Sequence, residues 1–289
     1  MTSRVPVLMV HGGAGPEPVE GREELRAGIY QALTAGWQLL SEGGGALDAI
    51  EAAVRSLEAH PRFNAGRGAV LTRDRGVELD ASIMEGDRLR SGAVGAVTRI
   101  AHPVSLARRI LEDGRHVLLV AEGALAFARE QGLPECDPAE LITDRQLARW
   151  KARRGGGTVG AVALDRYGTI ASATSTGGTA GKLPGRVGDS ALIGCGTYAE
   201  STLGGVSCTG SGEAIIRVVL ARRVLEILKA LDNPEHAGLV AMDVLTEEGQ
   251  GDGGLIVLDW RGRTAFAHST AFMPVGWINP SHPTPVLPF

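Results

Sequence analysis

The chain has 289 residues, enough for one large domain or two small ones, and 44% of them are hydrophobic. Its net charge of −4 gives no electrostatic reason to expect binding to nucleic acid or to a membrane surface, and no apolar stretch approaches the length of a membrane span. The only cysteines are Cys136, Cys195 and Cys208, and the N-terminus has too short an apolar run for a signal peptide, so we expect a cytoplasmic protein without a disulfide framework.

The first part of the chain alternates predicted strands and helices. Residues 5–10 predict a strand that runs into a glycine turn at 11–15, where we expect His11 to be a hydrogen-bonded core histidine. Apolar residues at helical spacing predict helices over 21–41 and 47–57. The later elements are a loop over 61–68, a hairpin over 70–84 with its turn at 73–76, a strand over 93–100, a helix over 102–112, a strand over 117–120 and a helix over 122–131. Helices that lie between sheet strands indicate a layered α/β domain.

The pattern weakens between residues 131 and 154. Pro134, Pro138 and the polar run 143–146 are typical of a surface connection rather than of a packed element. Nothing in the pattern indicates a second hydrophobic core that would make this segment a domain boundary. We therefore predict a single domain over 1–289 that contains a surface linker here.

Three glycines, Gly155-Gly156-Gly157, lead into Thr158 and then into an alternating apolar segment. With a strand over 159–164, a turn and a return strand, this stretch predicts a central β-hairpin with Thr158 at its leading edge. One interpretation is a plain glycine linker before a strand. The other is that the Gly157–Thr158 bond is a self-cleavage site.

Cleavage before Thr158 would give its hydroxyl a proton acceptor. An α-amine titrates near pH ~8, so part of it is unprotonated at neutral pH and can take the hydroxyl proton. Threonine paired with its own N-terminal amine is a recognised arrangement of nucleophile and base. Before cleavage the same hydroxyl could attack the Gly157 carbonyl, and glycine would allow the strained backbone that this attack needs.

Two polar, glycine-rich segments downstream of the hairpin are candidate binding elements. Arg186 and Asp189 form either a surface ion pair or a clamp, in which arginine holds an α-carboxylate and aspartate an α-ammonium. Thr209-Gly210 precedes a helix predicted to begin near Gly212, so this segment either caps the helix or binds a substrate oxygen. The remaining predicted elements are strands over 253–259 and 264–268 and a proline-rich surface tail from residue 280.

Common metal and catalytic signatures are missing from the sequence. The histidines have no HExxH spacing, the cysteines form no CxxC pair, and neither GxxxxGK[ST] nor GxSxG occurs. Thr158 and the polar glycine loops therefore remain as the candidate chemistry.

Several ordered segments together resemble the plant-type asparaginases, also called isoaspartyl peptidases, which are N-terminal nucleophile hydrolases. The segments are HGGAG at 11–15, FNAG at 63–66, GTVGAVA at 157–163, ATSTGG at 173–178, KLPGRVGDS at 182–190 and SCTGSGE at 207–213. The resemblance covers nearly the whole chain and implies an α+β fold, a four-layer αββα sandwich. It also implies a precursor that is cut into an alpha subunit, 1–157, and a beta subunit, 158–289, and a dimer of cut protomers that needs no cofactor for catalysis.

By matching position, the resemblance implies a role for each candidate site residue. Thr158 would be nucleophile and base, and Thr176 would hydrogen-bond near it and tune its hydroxyl. The α-carboxylate and α-ammonium of the substrate would bind to Arg186 and Asp189. The scissile carbonyl oxygen would be held by Thr209 and Gly210, and Asn64 would lie in a loop that reaches toward the nucleophile.

The segment 57–67 resembles the family's sodium loop. Oxygen-only ligation suits a hard cation, so a structural Na⁺ is implied here, with His60 and Arg67 as departures from the family's pattern. The backbone carbonyls that would ligate the ion belong to Leu57, Glu58, His60, Phe63, Ala65 and Arg67.

The implied activity is hydrolysis of the side-chain amide of L-asparagine and of β-aspartyl dipeptides, with release of L-aspartate. Poor activity on α-linked peptides is expected, because the clamp needs both a free α-carboxylate and a free α-amine. Two alternatives stay open. One is a glycosylasparaginase, which acts on N4-(β-N-acetylglucosaminyl)-L-asparagine; the other is an amino-acid-binding protein that keeps the clamp but never cleaves itself.

Overall fold

The structure is a computed structural model that describes residues 4–152 and 156–289. Gly155, the first glycine of the predicted cleavage segment, and residues 1–3 of the predicted N-terminal segment lie outside the described residues. No helix in the described part is long and apolar enough to cross a membrane.

The described residues form twelve strands and nine α-helices. The strands are β1 (Val7–His11), β2 (Leu79–Glu85), β3 (Arg90–Val97), β4 (Leu118–Val120), β5 (Val159–Leu164), β6 (Ile170–Thr176), β7 (Thr197–Glu200), β8 (Gly204–Gly210), β9 (Gly253–Asp259), β10 (Thr264–His268), β11 (Val275–Asn279) and β12 (His282–Val286). The helices are α1 (Arg22–Ser41), α2 (Ala46–Ala59), α3 (Pro103–Asp113), α4 (Ala121–Glu130), α5 (Pro138–Leu141), α6 (Asp144–Lys151), α7 (Gly212–Val218), α8 (Leu220–Leu231) and α9 (Pro234–Asp243).

The strands build two sheets. The larger has eight strands in the order β12-β11-β1-β5-β6-β2-β3-β4, and the smaller has four in the order β10-β9-β8-β7. The predicted central hairpin is confirmed: β5 and β6 pair antiparallel in the middle of the larger sheet, with Val159 opposite Ser175. Strands β1 and β2 flank the β5–β6 pair, so the residue just before β5 lies in the middle of the sheet rather than at its edge.

Three apolar clusters define four layers. On the outer face of the larger sheet, Ile29 of α1 and Ile50 of α2 pack against strand residues such as Leu8. Between the sheets, residues of β5 pack against residues of β9, among them Val162 and Ile256. Helices α7, α8 and α9 cover the outer face of the smaller sheet. Burial of each such aliphatic side chain contributes about 1.5–3 kcal/mol to the stability of the folded state. The expected α+β fold, a four-layer αββα sandwich, is confirmed.

Local signals explain several helix ends. Helix α9 begins after Asn233, whose side chain accepts from the amides of Glu235 and His236, with Pro234 at the first helical position. Helix α3 ends at Gly114, which has a φ of 72°, the left-handed conformation that glycine adopts without steric cost.

The predicted hairpin over 70–84 is wrong in its first half. Only its second run is a strand, β2, and β2 pairs with β3 and β6. The turn exists, with Thr72 N donating to Gly76 O at 2.8 Å. The first run does not form a ladder because loops take its polar groups: Val70 N donates to Asn64 Oδ1 at 2.7 Å, and Leu71 O accepts from Gly181 N at 2.8 Å.

The predicted surface linker is also wrong over most of its length. Residues 138–151 contain α5 and α6, which begin after the side-chain caps Asp137 and Thr143. Leu141 and Gln146 are buried, and Trp150 donates from Nε1 to Thr72 O at 2.9 Å. The prolines that indicated a loop therefore precede or begin a short helix that covers the region around residues 68–72.

Besides α5 and α6, five elements were not predicted: β7, β8, α9, β11 and β12. The tail from residue 280 does expose much of its surface, but β12 also pairs with β11 at the edge of the larger sheet. Proline lacks an amide donor, so Pro283 and Pro285 are compatible with a strand only at such an edge.

Candidate active site

Thr158 lies at the end of the central hairpin, next to Thr176. It immediately precedes β5 and is 4% exposed. The pairing of Val159 with Ser175 brings Thr176, the last residue of β6, alongside it. The two hydroxyls are hydrogen-bonded, with Thr158 Oγ1 donating to Thr176 Oγ1 at 3.3 Å.

The carbonyl of Gly157 accepts two hydrogen bonds. Asn64 donates from Nδ2 at 2.7 Å, and Thr176 donates from Oγ1 at 2.8 Å. Gly157 has a φ of 113°, which disfavours any residue with a side chain. Two hydrogen-bond donors on one carbonyl oxygen stabilise negative charge on that oxygen. Nucleophilic attack on the carbonyl carbon would develop this negative charge.

Asn64 is held in place by a full set of partners. Besides Gly157 O, its Nδ2 donates to Gly178 O at 2.7 Å, and its Oδ1 accepts from Val70 N at 2.7 Å. These partners assign the orientation of the amide, since a flipped group would place oxygen against two carbonyls. The close approach also requires glycine at 177, where a Cβ would lie 2.6 Å from Asn64 Oδ1.

The glycine turn after β1 packs against the nucleophile. Gly13 has a φ of 106°, and a Cβ there would lie 3.0 Å from Thr158 N. The predicted core role of His11 agrees with the structure: it is buried and its Nε2 lies 2.8 Å from Ser207 Oγ. Burial lowers the pKa of His11 to about 3, despite the opposing effect of the Thr158 backbone, so its imidazole is neutral at physiological pH.

Arg186 and Asp189 are brought together at one small cleft beside Thr158. The cleft has a volume of about 30 Å³. A Cβ at Gly212 would lie 2.7 Å from Arg186 Nη2 and 2.8 Å from Asp189 Oδ1, so the two charged groups meet over that glycine. The residues that line the cleft are Gly156, Gly157, Thr158, Thr176, Gly178, Thr179, Arg186, Asp189, Gly210 and Gly212.

Asp189, which lines the cleft, has a carboxylate oxygen without a hydrogen-bond partner. Its Oδ2 is buried without a hydrogen-bond partner, and burial raises its pKa to about 7 in spite of the nearby Arg186 guanidinium. Arg186 is itself paired with Glu213, whose Oε1 lies 3.0 Å from Nε and 2.9 Å from Nη2. An incoming ammonium group would supply the missing partner of Asp189.

The Thr209-Gly210 segment forms the end of strand β8 in the smaller sheet. Gly210 lines the cleft, whereas Thr209 is buried behind it and its Oγ1 accepts from Ala14 N at 3.1 Å. That bond leaves the Thr209 hydroxyl proton free to donate. The helix begins at Gly212 as predicted, and Ser211 at its N-cap makes no side-chain cap bond, so the simple capping interpretation is not supported.

The segment 57–67 has the donor chemistry of a hard-cation loop. Gly66 and Gly68 have positive φ values, and a Cβ at Gly66 would lie 2.5 Å from Glu58 O. A Cβ at Gly68 would lie 2.8 Å from Phe63 O. Some carbonyls are engaged, since Glu58 O accepts from Arg67 N at 2.8 Å, but each keeps a second lone pair. Carbonyl oxygens are ligands of a kind that hard cations accept. Among the described residues no cluster of His, Cys, Asp and Glu side chains forms a metal site.

Sequence reasoning missed two carboxylates at the site. The Glu213 side chain pairs with Arg186, and only its charge and its place at the start of a helix could have indicated this. Glu58 was considered only for its carbonyl, yet its buried carboxylate accepts from Ser175 Oγ at 2.7 Å, one residue before Thr176. Burial raises the pKa of Glu58. A larger surface cleft of about 330 Å³, which includes Trp260 and Arg261, contains none of the predicted residues.

Known proteins resemble this chain over almost its full length. A family model described as Asparaginase matches residues 4–156 and 151–286. An isoaspartyl peptidase/L-asparaginase of Danio rerio is 47% identical over 281 residues, covering 93% of this chain and 91% of the relative. Its namesake in Homo sapiens is 43% identical over 282 residues, covering 93% and 92%. An isoaspartyl peptidase of Salmonella typhimurium is 40% identical over 296 residues, covering 94% of each.

Proposed function

The chain belongs to the asparaginase family, and we propose that it is a self-cleaving threonine hydrolase that releases L-aspartate from L-asparagine and from β-aspartyl dipeptides. The observation that carries this proposal is the geometry at one peptide bond. The Gly157 carbonyl accepts from Asn64 Nδ2 and Thr176 Oγ1, and the Thr158 hydroxyl follows it directly in the chain. The names of the relatives, isoaspartyl peptidase and L-asparaginase, support the amide and β-aspartyl substrates.

Self-cleavage would begin with attack of Thr158 Oγ1 on the Gly157 carbonyl carbon. The carbonyl oxygen takes up negative charge, and the donors on Asn64 and Thr176 stabilise it. As the C–N bond breaks, the hydroxyl proton passes to the leaving nitrogen, which becomes the free amine of Thr158. The resulting ester between Gly157 and the Thr158 side chain is then hydrolysed by water. The products are residues 1–157 with a new carboxylate and residues 158–289 with a new amine.

The new amine completes the catalytic group. It lies on the same residue as the hydroxyl and accepts its proton during attack on the substrate. Thr176 Oγ1, freed of its bond to Gly157 O, stays within 3.3 Å of Thr158 Oγ1 and helps to orient it. Departure of the Gly157 carbonyl would also open the cleft, because Gly156 and Gly157 form part of its wall.

The substrate would be oriented by its charged head group. Arg186 would hold the α-carboxylate with its guanidinium fork, and Asp189 would hold the α-ammonium through the unpartnered Oδ2. The scissile carbonyl oxygen then points toward Thr209 and Gly210, which donate to the developing oxyanion. Ammonia or an amino acid leaves, and water releases L-aspartate from the acyl-enzyme.

Assembly and location are part of the proposal. We infer a dimer of cut protomers in the cytoplasm, the first from the family resemblance and the second from the sparse cysteines. The exposed apolar side chains Val117, Leu118 and Val120 at edge strand β4 support a surface that a second copy could cover. Light scattering of the purified protein measures the assembly state.

Na⁺ in the segment 57–67 would act structurally. The carbonyls of Leu57, Glu58, His60, Phe63, Ala65 and Arg67 would hold it, and it would rigidify the loop that carries Asn64. No step of the hydrolysis needs the ion. Replacing Na⁺ with choline should lower the unfolding temperature of the protein, and an unchanged temperature would remove the ion from the proposal.

The test of the activity is an intact-mass measurement followed by a substrate panel. We expect the purified chain to convert into fragments 1–157 and 158–289, while Thr158→Ala stays whole and Thr34→Ala, a threonine exposed on α1, cleaves normally. The cut protein should hydrolyse β-aspartyl dipeptides and L-asparagine but not α-linked dipeptides. A chain that stays whole and inactive for days would instead indicate an amino-acid-binding protein, and activity on glycoasparagine alone would indicate a glycosylasparaginase.

A further inference from the structure

Strand β2 holds the loop that carries the clamp. Asp80 and Ser82 lie two residues apart on β2, so their side chains share one face, and Glu78 immediately precedes the strand. Glu78 Oε2 accepts from Gly185 N at 2.8 Å, and Asp80 Oδ2 accepts from Gly188 N at 2.9 Å. Ser82 Oγ donates to Ser190 O at 2.6 Å.

Two of these bonds enclose Asp189. Gly188 immediately precedes it and Ser190 immediately follows it, so the backbone on either side is attached to β2. Asp80 and Ser82 are both 0% exposed, and buried hydrogen bonds of this kind are costly to leave unmade. The position of the Asp189 carboxylate is therefore set by a strand that does not itself line the cleft.

Asp80 is rigid because both of its oxygens are engaged. Its Oδ1 accepts from Ala96 N at 2.8 Å. Ala96 has a φ of 50°, unusual for a residue with a side chain, and lies where the register of β2 and β3 shifts. The Asp80 carboxylate therefore links the irregular part of β3 to the loop that carries Arg186 and Asp189.

Asp80 also contributes charge. Burial is the main cause of the raised pKa of Asp189, the guanidinium of Arg186 opposes it, and the carboxylates of Asp80 and Glu213 add to it. The thiols of Cys195 and Cys208 also face Asp189. The buried ammonium of Lys182 donates to Glu78 O at 2.8 Å and interacts electrostatically with Asp80, so it partly balances this group of charges.

We infer that Asp80 and Ser82 are positioning residues for the substrate ammonium, acting through Asp189. The inference rests on the proposed function, since it assumes that Asp189 binds that group. Ser82 acts through position alone, whereas Asp80 acts through position and through its negative charge. This difference separates their effects in an experiment.

The test compares Asp80→Asn and Ser82→Ala in hydrolysis of a β-aspartyl dipeptide between pH 5 and 9. Loss of one buried backbone contact in either variant should raise KM on the order of tenfold while kcat changes by less than about twofold. Only Asp80→Asn removes a like charge beside Asp189, so only it should move the Asp189 limb of kcat/KM, near pH 7, to lower pH. The limb of the Thr158 α-amine near pH ~8 should stay in place. Asp74→Asn and Ser41→Ala, at exposed positions, are the matched controls.

Folding is checked separately, by completeness of self-cleavage and by the unfolding temperature. If Asp80→Asn does not fold, Ser82→Ala and Ser82→Thr still decide the positional part, because threonine keeps the hydroxyl and should keep a KM near that of the native protein. Unchanged KM in Ser82→Ala overturns the positional part. An acid limb that moves equally in both variants, or in neither, overturns the role of the Asp80 charge.

The proposed function can fail independently. If the native protein hydrolyses none of the substrates, that proposal is wrong regardless of the variants. Calorimetric binding of L-aspartate then still reports on the clamp, and equal affinity of the native protein, Asp80→Asn and Ser82→Ala would overturn the inference as well.

Discussion

Asn64 donates from Nδ2 to the carbonyl of Gly157 at 2.7 Å, joining two residues that are 93 positions apart in the chain. The same oxygen accepts from Thr176, so the bond proposed for cleavage has two donors aimed at its carbonyl before any reaction occurs. A preorganised pair of donors costs no reorganisation at the moment of attack. Four predictions follow from this arrangement and from the charges beside it.

Asn64→Ala should slow self-cleavage strongly. Removing one oxyanion donor raises an activation barrier by roughly 2.7–4 kcal/mol, equivalent to a rate loss of about 10²–10³. The measurement is the fraction of chain cut at Gly157–Thr158 over time, by intact mass. Asn279→Ala, the same change at a position that contacts His282, should cleave at the native rate. A native rate in Asn64→Ala would remove Asn64 from the cleavage chemistry.

Thr176→Val and Thr176→Ser should differ sharply. Valine keeps the shape but loses the hydroxyl that bonds Gly157 O, Thr158 Oγ1 and Gly178 N, so both self-cleavage and later hydrolysis should slow. Serine keeps the hydroxyl and should retain most of both rates. Rates are compared by fragment formation and by kcat after complete cleavage. Equal behaviour of the two variants would mean that the hydroxyl has no role.

Substrate binding should weaken as the pH falls through about 7. Burial raises the pKa of Asp189 to about 7, so its carboxyl is protonated and neutral below that value and charged above it. Only the charged form pairs with an ammonium, hence kcat/KM should decline on the acid side of about pH 7. A bound ammonium favours the charged form, so the same limb in kcat should lie at lower pH. Asp189→Asn should have a high KM and should lose the limb near pH 7. It should keep only the limb of the Thr158 α-amine, which titrates near pH ~8. A limb that persists near pH 7 in that variant must belong to another group.

Arg186→Lys should raise KM with little change in kcat. A lysine ammonium is a point charge and cannot make the two parallel bonds of a guanidinium to a carboxylate. Loss of one charged hydrogen bond corresponds to about 1.5–3 kcal/mol, or an increase in KM of roughly 10–150-fold. Arg115→Lys, at an exposed ion pair with Asp113, is the control. An unchanged KM in Arg186→Lys would exclude Arg186 from the clamp.

Local sequence signals determined the central elements. Period-2 alternation after the glycine run predicted the β5–β6 hairpin, and helical spacing predicted α1 and α2. Both faces of β5 and β6 are buried, because helices cover one side of the larger sheet and the smaller sheet covers the other. The resemblance to a known family then supplied the αββα architecture and the candidate residues. The signals failed where packing overrides local preference: residues 70–72 alternate like a strand but are bonded by loops, and the prolines near residue 138 begin a helix.

The sequence by itself determined that Thr158 follows a glycine segment at the edge of a strand, and that Arg186 and Asp189 share a polar loop. Only the tertiary structure decided what faces them. Asn64 and Gly157, or Asp80 and Gly188, are far apart in the chain, and their contacts exist because strands and loops from distant segments meet beside β6. A hydrogen bond depends on the distance and direction between two groups in space. The spacing of residues in the sequence predicts these only within a single helix or strand.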